Sequence, residues 1–323
     1  MCMQRRDFLL LVTLAAVAAV AATPAMGQAL APTVAPADRG TQSAASIPDL
    51  SGMWGHQSLP GFEPPASGPG PVVNRSRMRQ LFGTDGRPLP AANAPLVSNP
   101  SQWVGDYTNP ILKPQAAEVV KQRGEIQLSG VNYPNPSNQC RPAGVPYIFW
   151  NFGIEILQQP DKITILYLHD HEVRHIRLNQ PHPAHVTPSW HGDSTGHYEG
   201  DTLVIDTVGV KIGPFAMVDF YGTPYTQALH VVERYRLLDY EAAKEGLERD
   251  ARENLRPAGG ADAGSAPDYS YRGKHLQLQF TVEDEGVFTM PWSATVTYRR
   301  ALGEWPEIVC AENLRASFEF RVG

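Results

Sequence analysis

The stretch HLQLQFTV, from His275 to Val282, decides the fold class of this chain. Its apolar residues Leu276, Leu278, Phe280 and Val282 alternate with polar residues. Successive side chains of an extended strand point to opposite faces, so the alternation predicts a strand with one buried and one solvated face. Such one-sided strands are typical of antiparallel sheets.

The same alternation recurs along the second half of the chain. SFEFRV near the C-terminus repeats it, and we predict strands at 51–56, 147–158, 162–168, 173–179, 201–208, 229–238, 274–282, 293–300 and 316–322. Few helices separate these segments, which favours neighbouring antiparallel strands. We therefore predict an all-β, mainly antiparallel fold, either a lipocalin- or calycin-like barrel or a strongly bent sheet, with roughly eight to ten strands, long coil and short peripheral helices.

Two short helices and much coil lie outside this pattern. Pro114 and the following QAAEVVKQR predict a helix that ends before Gly124. EAAKEGLERDARENL (241–255) has Ala or Leu at every fourth position and predicts an amphipathic helix in an insertion at 240–273. Recurrent Pro and Gly between 57 and 110 predict a long coil wrapped over the sheet.

The N-terminus predicts export. Arg5 and Arg6 precede an apolar run from Phe8 to Ala22, and a small-residue cleavage site ends at Gly27. The paired arginines favour a twin-arginine signal over residues 1–27, with an ordinary secretory signal as the alternative. The apolar run is too short for a typical membrane span. Residues 28–47 predict a disordered leader, and 48–323 predict a single β-rich domain in the periplasm or outside the cell.

Charge and cysteine content narrow the classes of partner. The 323 residues carry a formal net charge of −6, which becomes −7 once the signal removes two arginines and one aspartate. An acidic chain without a basic run argues against nucleic acid as a partner.

Cys140 and Cys310 are the cysteines left after cleavage, and in an oxidising compartment they predict a disulfide bond.

Seven of the ten histidines fall between His169 and His197. HDHE (169–172) lies between two predicted strands and predicts a hairpin turn. His169 and His171 have a spacing that metal sites use, and the third ligand would come from His175, His185 or His191. The alternative is a solvated histidine-rich turn, since two loop histidines are weak evidence for a metal.

The segment SWHGDSTGHYEGDTLVIDT (189–207) follows these histidines. Gly192, Gly196 and Gly200 predict irregular chain that presents polar side chains, as binding and catalytic loops do. The presented residues are Trp190, His191, Asp193, Ser194, His197 and Glu199. No Gly-x-Ser-x-Gly elbow surrounds Ser194, which argues against a serine hydrolase.

Two charged residues fall on apolar strand faces. Arg174 shares a face with Ile176 and Leu178, and Glu233 shares one with Val231 and Tyr235. A charge on such a face needs a partner or a purpose. One interpretation is a buried Arg174–Glu233 salt bridge that serves only the fold. The other, which nearness to the histidines favours, is a partly hydrated pair lining a binding cavity.

A set of motifs runs through most of the predicted domain: PDLSGMW (48–54), CRPAGVP (140–146), HDHEVRHIRL (169–178), WxGxSxGxxEGDTLVxDTxG (190–209), LHVVERYRL (229–237), MPW (290–292) and VCAEN (309–313). In this order they resemble a family of exported bacterial proteins, many of unassigned function. The resemblance implies a β-rich, calycin-like domain and no particular activity. The insertion at 240–273 departs from the family pattern.

The resemblance also ranks positions for a functional site. It favours His171, Glu172, Arg174, His182, Trp190, Ser194, Glu199, Asp201, His230, Glu233, Trp292 and Glu312. His169, His175 and His197 match the family pattern poorly, which weakens the metal hypothesis because its His-x-His pair loses a member.

These observations lead to a functional hypothesis. We expect a periplasmic non-redox enzyme (a lyase, isomerase or hydrolase) that acts on a small, partly apolar molecule without a cofactor. His171, His182 and His230 would be acids and bases, Glu233 their carboxylate partner and Arg174 an anion anchor. Substrate contacts would come from Glu172, Trp190, His191, Ser194, Glu199, Trp292 and Glu312. The alternatives are a lipocalin-like carrier without chemistry and a metalloenzyme with ligands His169, His171 and His191.

Overall fold

The computed structural model describes residues 47–56, 61–80, 88–90, 94, 96–99, 102–150, 153–253, 270–301, 307 and 309–310. Within them, a closed barrel is formed by the strands β1 (Gly52–Gly55), β4 (Gly153–Gln158), β5 (Lys162–Tyr167), β6 (Val173–Leu178), β7 (Asp193–Glu199), β8 (Thr202–Val208), β9 (His230–Leu238), β10 (His275–Glu283) and β11 (Trp292–Arg300). A separate pair consists of β2 (Arg77–Arg79) and β3 (Leu96–Ser98).

The barrel follows chain order from β4 to β11, and β1 closes it between β11 and β4. Its pairs are antiparallel except β6 with β7, which run parallel and are joined by a connection over residues 179–192. The predicted all-β barrel is therefore confirmed, with one parallel pair added.

The alternation in β10 produces the core. Leu276, Leu278, Phe280 and Val282 are at most 1% exposed and point into the barrel, where Trp292 packs against Phe280 with ring centroids 6.0 Å apart. Burying one such side chain contributes roughly 1.5–3 kcal/mol, so this strand anchors the wall. In a barrel of this size the inward side chains fill the interior.

One strand lies where irregular chain was predicted. β7 spans Asp193–Glu199 and pairs along its length with β8. The glycines that suggested a loop lie at its ends: Gly192 and Gly200 have φ of 69° and 62°, which side chains other than glycine rarely adopt. Gly196 lies within the strand, where a Cβ atom would come within 3.0 Å of Ile176.

Other predicted boundaries need correction. Residues 147–150 form a 3₁₀ turn, and the strand begins at Gly153. The first helix, α1 (Pro114–Leu128), runs through Gly124 because the glycine lets the helix approach Val104; a Cβ there would lie 2.9 Å from Val104. The predicted coil of 57–110 contains the β2–β3 pair. The predicted strand at 316–322 lies outside the described residues.

The insertion begins with the predicted helix, α2 (Tyr240–Glu253). Arg249 of α2 lies 3.0 Å from the carboxylate of Glu63, which is 0% exposed and also accepts a hydrogen bond from Thr297 of β11. Burial, reinforced by the charge of Asp250, outweighs the attraction of Arg249 and raises the pKa of Glu63 to about 8. Helix α2 thus docks over a buried carboxyl group.

The predicted disulfide bond joins Cys140 to Cys310 across 170 residues. It ties the coil before β4 to the chain beyond β11, and the backbone N–H of Cys310 donates to Asp170 in the β5–β6 turn. In the part of the chain that the structure describes, no helix is long and apolar enough to cross a membrane. The predicted signal and most of the leader, residues 1–46, lie outside the described residues.

Candidate functional site

The barrel wall divides the predicted site residues into two groups. Strands β6 to β9 alternate, so neighbouring positions of one strand face opposite sides of the wall. Arg174 and Glu233 point into the barrel and are at most 2% exposed, whereas the side chain of His230 lies on the outer face and is 32% exposed. Of the five predicted catalytic residues, Glu233 and Arg174 therefore lie on the opposite side of the wall from His230.

Inside the barrel, Arg174 and Glu233 form a two-point ion pair. Nη2 of Arg174 donates to Oε1 of Glu233 at 2.6 Å, and Nη1 donates to Oε2 at 3.0 Å. Ser194 accepts from Nε and Nη2 at 3.1 and 3.0 Å, and Thr207 accepts from Nη2 at 2.7 Å. The register explains the convergence, because Ser194 pairs with Thr207 across β7 and β8.

Burial and the neighbouring charges determine the pKa values around the Arg174–Glu233 pair. Burial alone would lower the pKa of Arg174, but Glu233 and neighbouring tyrosines raise it above its ordinary value, so the guanidinium stays charged. Burial raises the pKa of Tyr167, beside it, to about 12. The side chains of Arg174 and Glu233 are 1% and 0% exposed. The cavity interpretation requires that Arg174 and Glu233 be partly hydrated, and neither side chain is exposed enough for that. The buried salt bridge is the interpretation that fits.

On the outer face, two histidines share one carboxylate. Nε2 of His182 lies 2.9 Å from Oδ1 of Asp206, and Nε2 of His230 lies 3.0 Å from Oδ2 of the same residue. The side chains of His182, Asp206 and His230 are 25%, 41% and 32% exposed, so solvent and solutes reach them. We call these residues the outer-face cluster.

Further charges extend the outer-face cluster at both ends. Nδ1 of His182 lies 2.6 Å from Asp193, whose two oxygens accept from Arg177 at 2.7 and 2.8 Å. At the other end, Nδ1 of His230 lies 3.5 Å from Glu283, beyond a good hydrogen bond. His182 is therefore held at both ring nitrogens, whereas His230 is held firmly at Nε2 only.

The pKa shifts follow from these contacts. The hydrogen bond with Asp206 raises the pKa of His230, and the hydrogen bond with His230 lowers that of Asp206. The bonds from Arg177 likewise lower the pKa of Asp193. A carboxylate that stays ionised beside an imidazole favours its protonated form and fixes the orientation of its ring.

Local sequence brings these segments together. Asp206 follows the aliphatic run of β8 at a position that pairs with Thr195 and Val232, so it faces outward as His230 does on β9. His182 arrives from the 179–192 connection, which turns at Asn179 with φ of 56° and crosses the outer face. Gly209 accommodates this crossing, since a Cβ there would meet Val186.

The predicted HDHE hairpin turn is confirmed, and its side chains do different things. His171 is exposed on the turn with φ of 49°. His169 packs edge-on against Trp150, and burial lowers its pKa. Glu172 accepts from the backbone N–H of Ala143 at 2.9 Å and lies 3.1 Å from Nε2 of His191.

The proposed metal ligands all lie in the described part of the chain. Among the described residues, no group of three or more His, Cys, Asp or Glu side chains is arranged to hold a metal ion. His175 contacts Thr164 at 3.2 Å, and His185 is exposed on the connection.

The remaining predicted residues scatter. Ser194 and Trp292 are buried in the barrel, and Glu199 is an exposed partner of Arg234 and His197. Trp190 lines a cleft near the Cys140 loop. Glu312 lies outside the described residues.

The sequence pattern did not single out Asp206. It is the charged residue in the strand TLVIDTV, on the same face as Val204. Nothing in the local pattern shows that two histidines converge on it.

Comparisons of the chain with protein-family models, curated proteins and solved structures found no match.

Proposed function

We propose that the chain is an exported enzyme that performs acid–base chemistry at the outer-face cluster. The observation that carries this proposal is the sharing of Asp206 by His182 and His230 at a solvent-reached surface. Nδ1 of His230 lies 3.5 Å from Glu283, so its contact there is weaker than the one at Nε2. An oriented imidazole with one available nitrogen is what general acid–base catalysis requires.

The roles follow from the contacts. If Nε2 of His230 carries the hydrogen that Asp206 accepts, Nδ1 of the neutral ring takes a proton from a substrate and returns it later. Asp206 is a positioning residue that also stabilises the imidazolium, and His182 holds Asp206 from the other side. The reaction class is non-redox: proton abstraction in an isomerase or lyase, or activation of water in a hydrolase, on a small and partly apolar molecule.

Export is the second part of the proposal. The Arg5–Arg6 signal pattern, the resemblance to exported bacterial proteins and the Cys140–Cys310 disulfide bond support a periplasmic or secreted location. Replacing both arginines by lysine should block export through the twin-arginine route and leave uncleaved protein in the cytoplasm. Normal export of that variant would instead indicate an ordinary secretory signal.

The catalytic part is tested with matched histidine variants. Hydrogen exchange into small ketones, acids and amides in D₂O, followed by NMR, detects isomerase and lyase chemistry, and chromogenic esters detect hydrolysis. We expect His230→Gln to lower turnover by roughly 10²–10⁴-fold, the usual contribution of an acid–base group. His197→Gln is the control, because His197 is an exposed outer-face histidine that contacts the exposed Glu199 at 3.1 Å.

The pH profile gives an independent readout. The limb assigned to His230 should lie above the ordinary histidine value of 6.5 and move down in Asp206→Asn, since that carboxylate is the main cause of the raised pKa. Equal turnover in His230→Gln and His197→Gln, or no turnover in any of the three reaction classes, would contradict the proposal.

A carrier that holds its ligand inside the barrel has weaker support. Phe280, Tyr235 and Trp292 fill the described interior and are each 1% exposed. A ligand has better access to the outer surface.

A further inference from the structure

The loop that carries Cys140 forms one wall of a cleft outside the barrel. Pro136, Arg141 and Gly144 line this wall, and Trp190, Pro214 and Phe215 also line the cleft. Met217 and Tyr225, which are 2% and 8% exposed, form the floor. The cleft is open to solvent. We call it the Trp190 cleft.

The lining of the Trp190 cleft combines flat apolar surfaces with a single charge. Trp190, Phe215 and Tyr225 contribute aromatic rings, and Arg141 is the charged residue among the described lining residues. The Arg141 guanidinium is exposed and has no hydrogen-bond partner among the residues that the structure describes. A free guanidinium binds a carboxylate, and the aromatic surface beside it packs against a flat apolar group, so the lining suits a ligand that has both.

A second cation strengthens the positive field. Nζ of Lys211 lies 5.1 Å from the centroid of the Trp190 ring, and the backbone oxygen of Lys211 accepts from the hydroxyl of Tyr225 at 2.8 Å. The acids of the adjoining turn are both occupied. Asp170 accepts from Cys310, and Glu172 accepts from Ala143 and contacts His191. Two cations, Arg141 in the lining and Lys211 over the Trp190 ring, therefore lie at this cleft.

The walls are held in place without a ligand. The disulfide bond fixes Cys140 beside Arg141, whose backbone N–H donates to Pro136 at 2.9 Å. Close packing fixes the other side: a Cβ at Gly213 would come within 2.8 Å of the Trp190 ring, and one at Gly144 within 2.8 Å of the Trp190 carbonyl oxygen. A site that is already formed loses little free energy to ordering on binding.

We propose that the Trp190 cleft binds a small organic anion, a carboxylate on a flat, aromatic-sized apolar body, with Arg141 on the carboxylate and Trp190 and Phe215 against the body. This site is distinct from the outer-face cluster and does not depend on the acid–base proposal.

The test uses benzoate, the isosteric but neutral benzamide, and acetate, which lacks the ring. Binding is followed by the indole N–H resonance of Trp190 in ¹⁵N-labelled protein, assigned by its loss in Trp190→Phe. We expect benzoate to shift this resonance saturably. Benzamide and acetate should each bind roughly tenfold more weakly, because each lacks one of the two contacts.

Arg141→Gln should weaken benzoate binding about tenfold, to the level of benzamide, and leave benzamide binding unchanged. Lys121→Gln is the control for net charge, since the side chain of Lys121 on α1 is 42% exposed and lies 3.9 Å from Glu125. If Arg141→Gln proves unstable in a thermal melt, Arg141→Lys takes its place. The lysine variant keeps the charge and should retain part of the affinity for benzoate. Equal binding of benzoate and benzamide, equal effects of Arg141→Gln and Lys121→Gln, or no saturable shift at Trp190 would overturn the proposal.

Discussion

Removing one partner of the buried Arg174–Glu233 pair should destabilise the barrel strongly. Arg174→Met deletes five hydrogen bonds, two to Glu233, two to Ser194 and one to Thr207. It leaves a carboxylate that is 0% exposed with hydroxyl partners only, the closest being Tyr235 at 3.1 Å. Breaking a buried pair in this way costs about 3–5 kcal/mol.

The double variant separates the charge from the packing. Arg174→Met with Glu233→Met replaces both charges by apolar groups of similar volume, so no ion is left unpaired. Such replacements are often neutral or stabilising, although Tyr235 loses its acceptor here. The hydroxyls of Ser194 and Thr207 still bond each other at 3.1 Å. We therefore expect the double variant to recover about 2–3 kcal/mol of the single-variant loss.

Urea unfolding at neutral pH measures these free energies. The control is the exposed pair of Arg234 and Glu199, 2.7 Å apart with side chains 44% and 47% exposed. Arg234→Met should cost under about 1 kcal/mol, as exposed pairs do. If Arg174→Met costs no more than Arg234→Met, the pair is hydrated and the interpretation as a buried core pair is wrong. A double variant as unstable as the singles would mean that the cost comes from packing.

Three further outcomes follow from the structure. Asp206→Asn should lower the pKa of His230 in an NMR titration. The contact between Asp206 and His230 stabilises the folded state below pH 6.5, and this stability is lost as the pH rises through the raised pKa of His230 in the folded protein. Because the pKa of Glu63 rises from 4.5 to about 8 on folding, folding takes up a proton between these values. Stability should therefore fall as pH increases from 4.5 to 8, by up to roughly 4–5 kcal/mol, and Glu63→Gln should remove that slope in unfolding curves. Reducing the Cys140–Cys310 bond should lower the free energy of unfolding by about 5 kcal/mol in the loop-entropy model. The measurement is the melting temperature with and without reductant. An unchanged melting temperature would mean that the bond does not restrict the unfolded chain.

The fold was predictable wherever burial imposed a period of two. In β10, β9 and β6 the inward positions are aliphatic, aromatic or charged and most outward ones are polar, so the alternation shows both the strand and its faces. β7 failed this test because its inward positions are Ser194, Gly196 and the half-buried Tyr198. Small residues lie there because β6 and the buried pair approach closely, which is a tertiary cause without a local signature.

The site was predictable as a set of residues and not as an arrangement. Strand phase placed Arg174 and Glu233 on apolar faces and His230 on the opposite face. Strand phase gave no information about whether water reaches Arg174 and Glu233, because that depends on how completely the barrel closes. It also could not pair His182 with Asp206, because that contact spans 24 residues and depends on the path of the 179–192 connection.

The two sides of the wall are linked by register. A one-residue slip of β9 against β8 would turn Glu233 outward and His230 inward, because side chains alternate along each strand. The Arg174–Glu233 pair opposes such a slip, since it would leave the guanidinium buried without its counter-ion. We therefore expect this buried ion pair, which adds little net stability, also to fix the register that sets His230 against Asp206. The double methionine variant tests this inference, because a His230 pKa that falls toward its ordinary value in a stable barrel would show a loosened register. An unchanged pKa would mean that apolar packing alone holds the register.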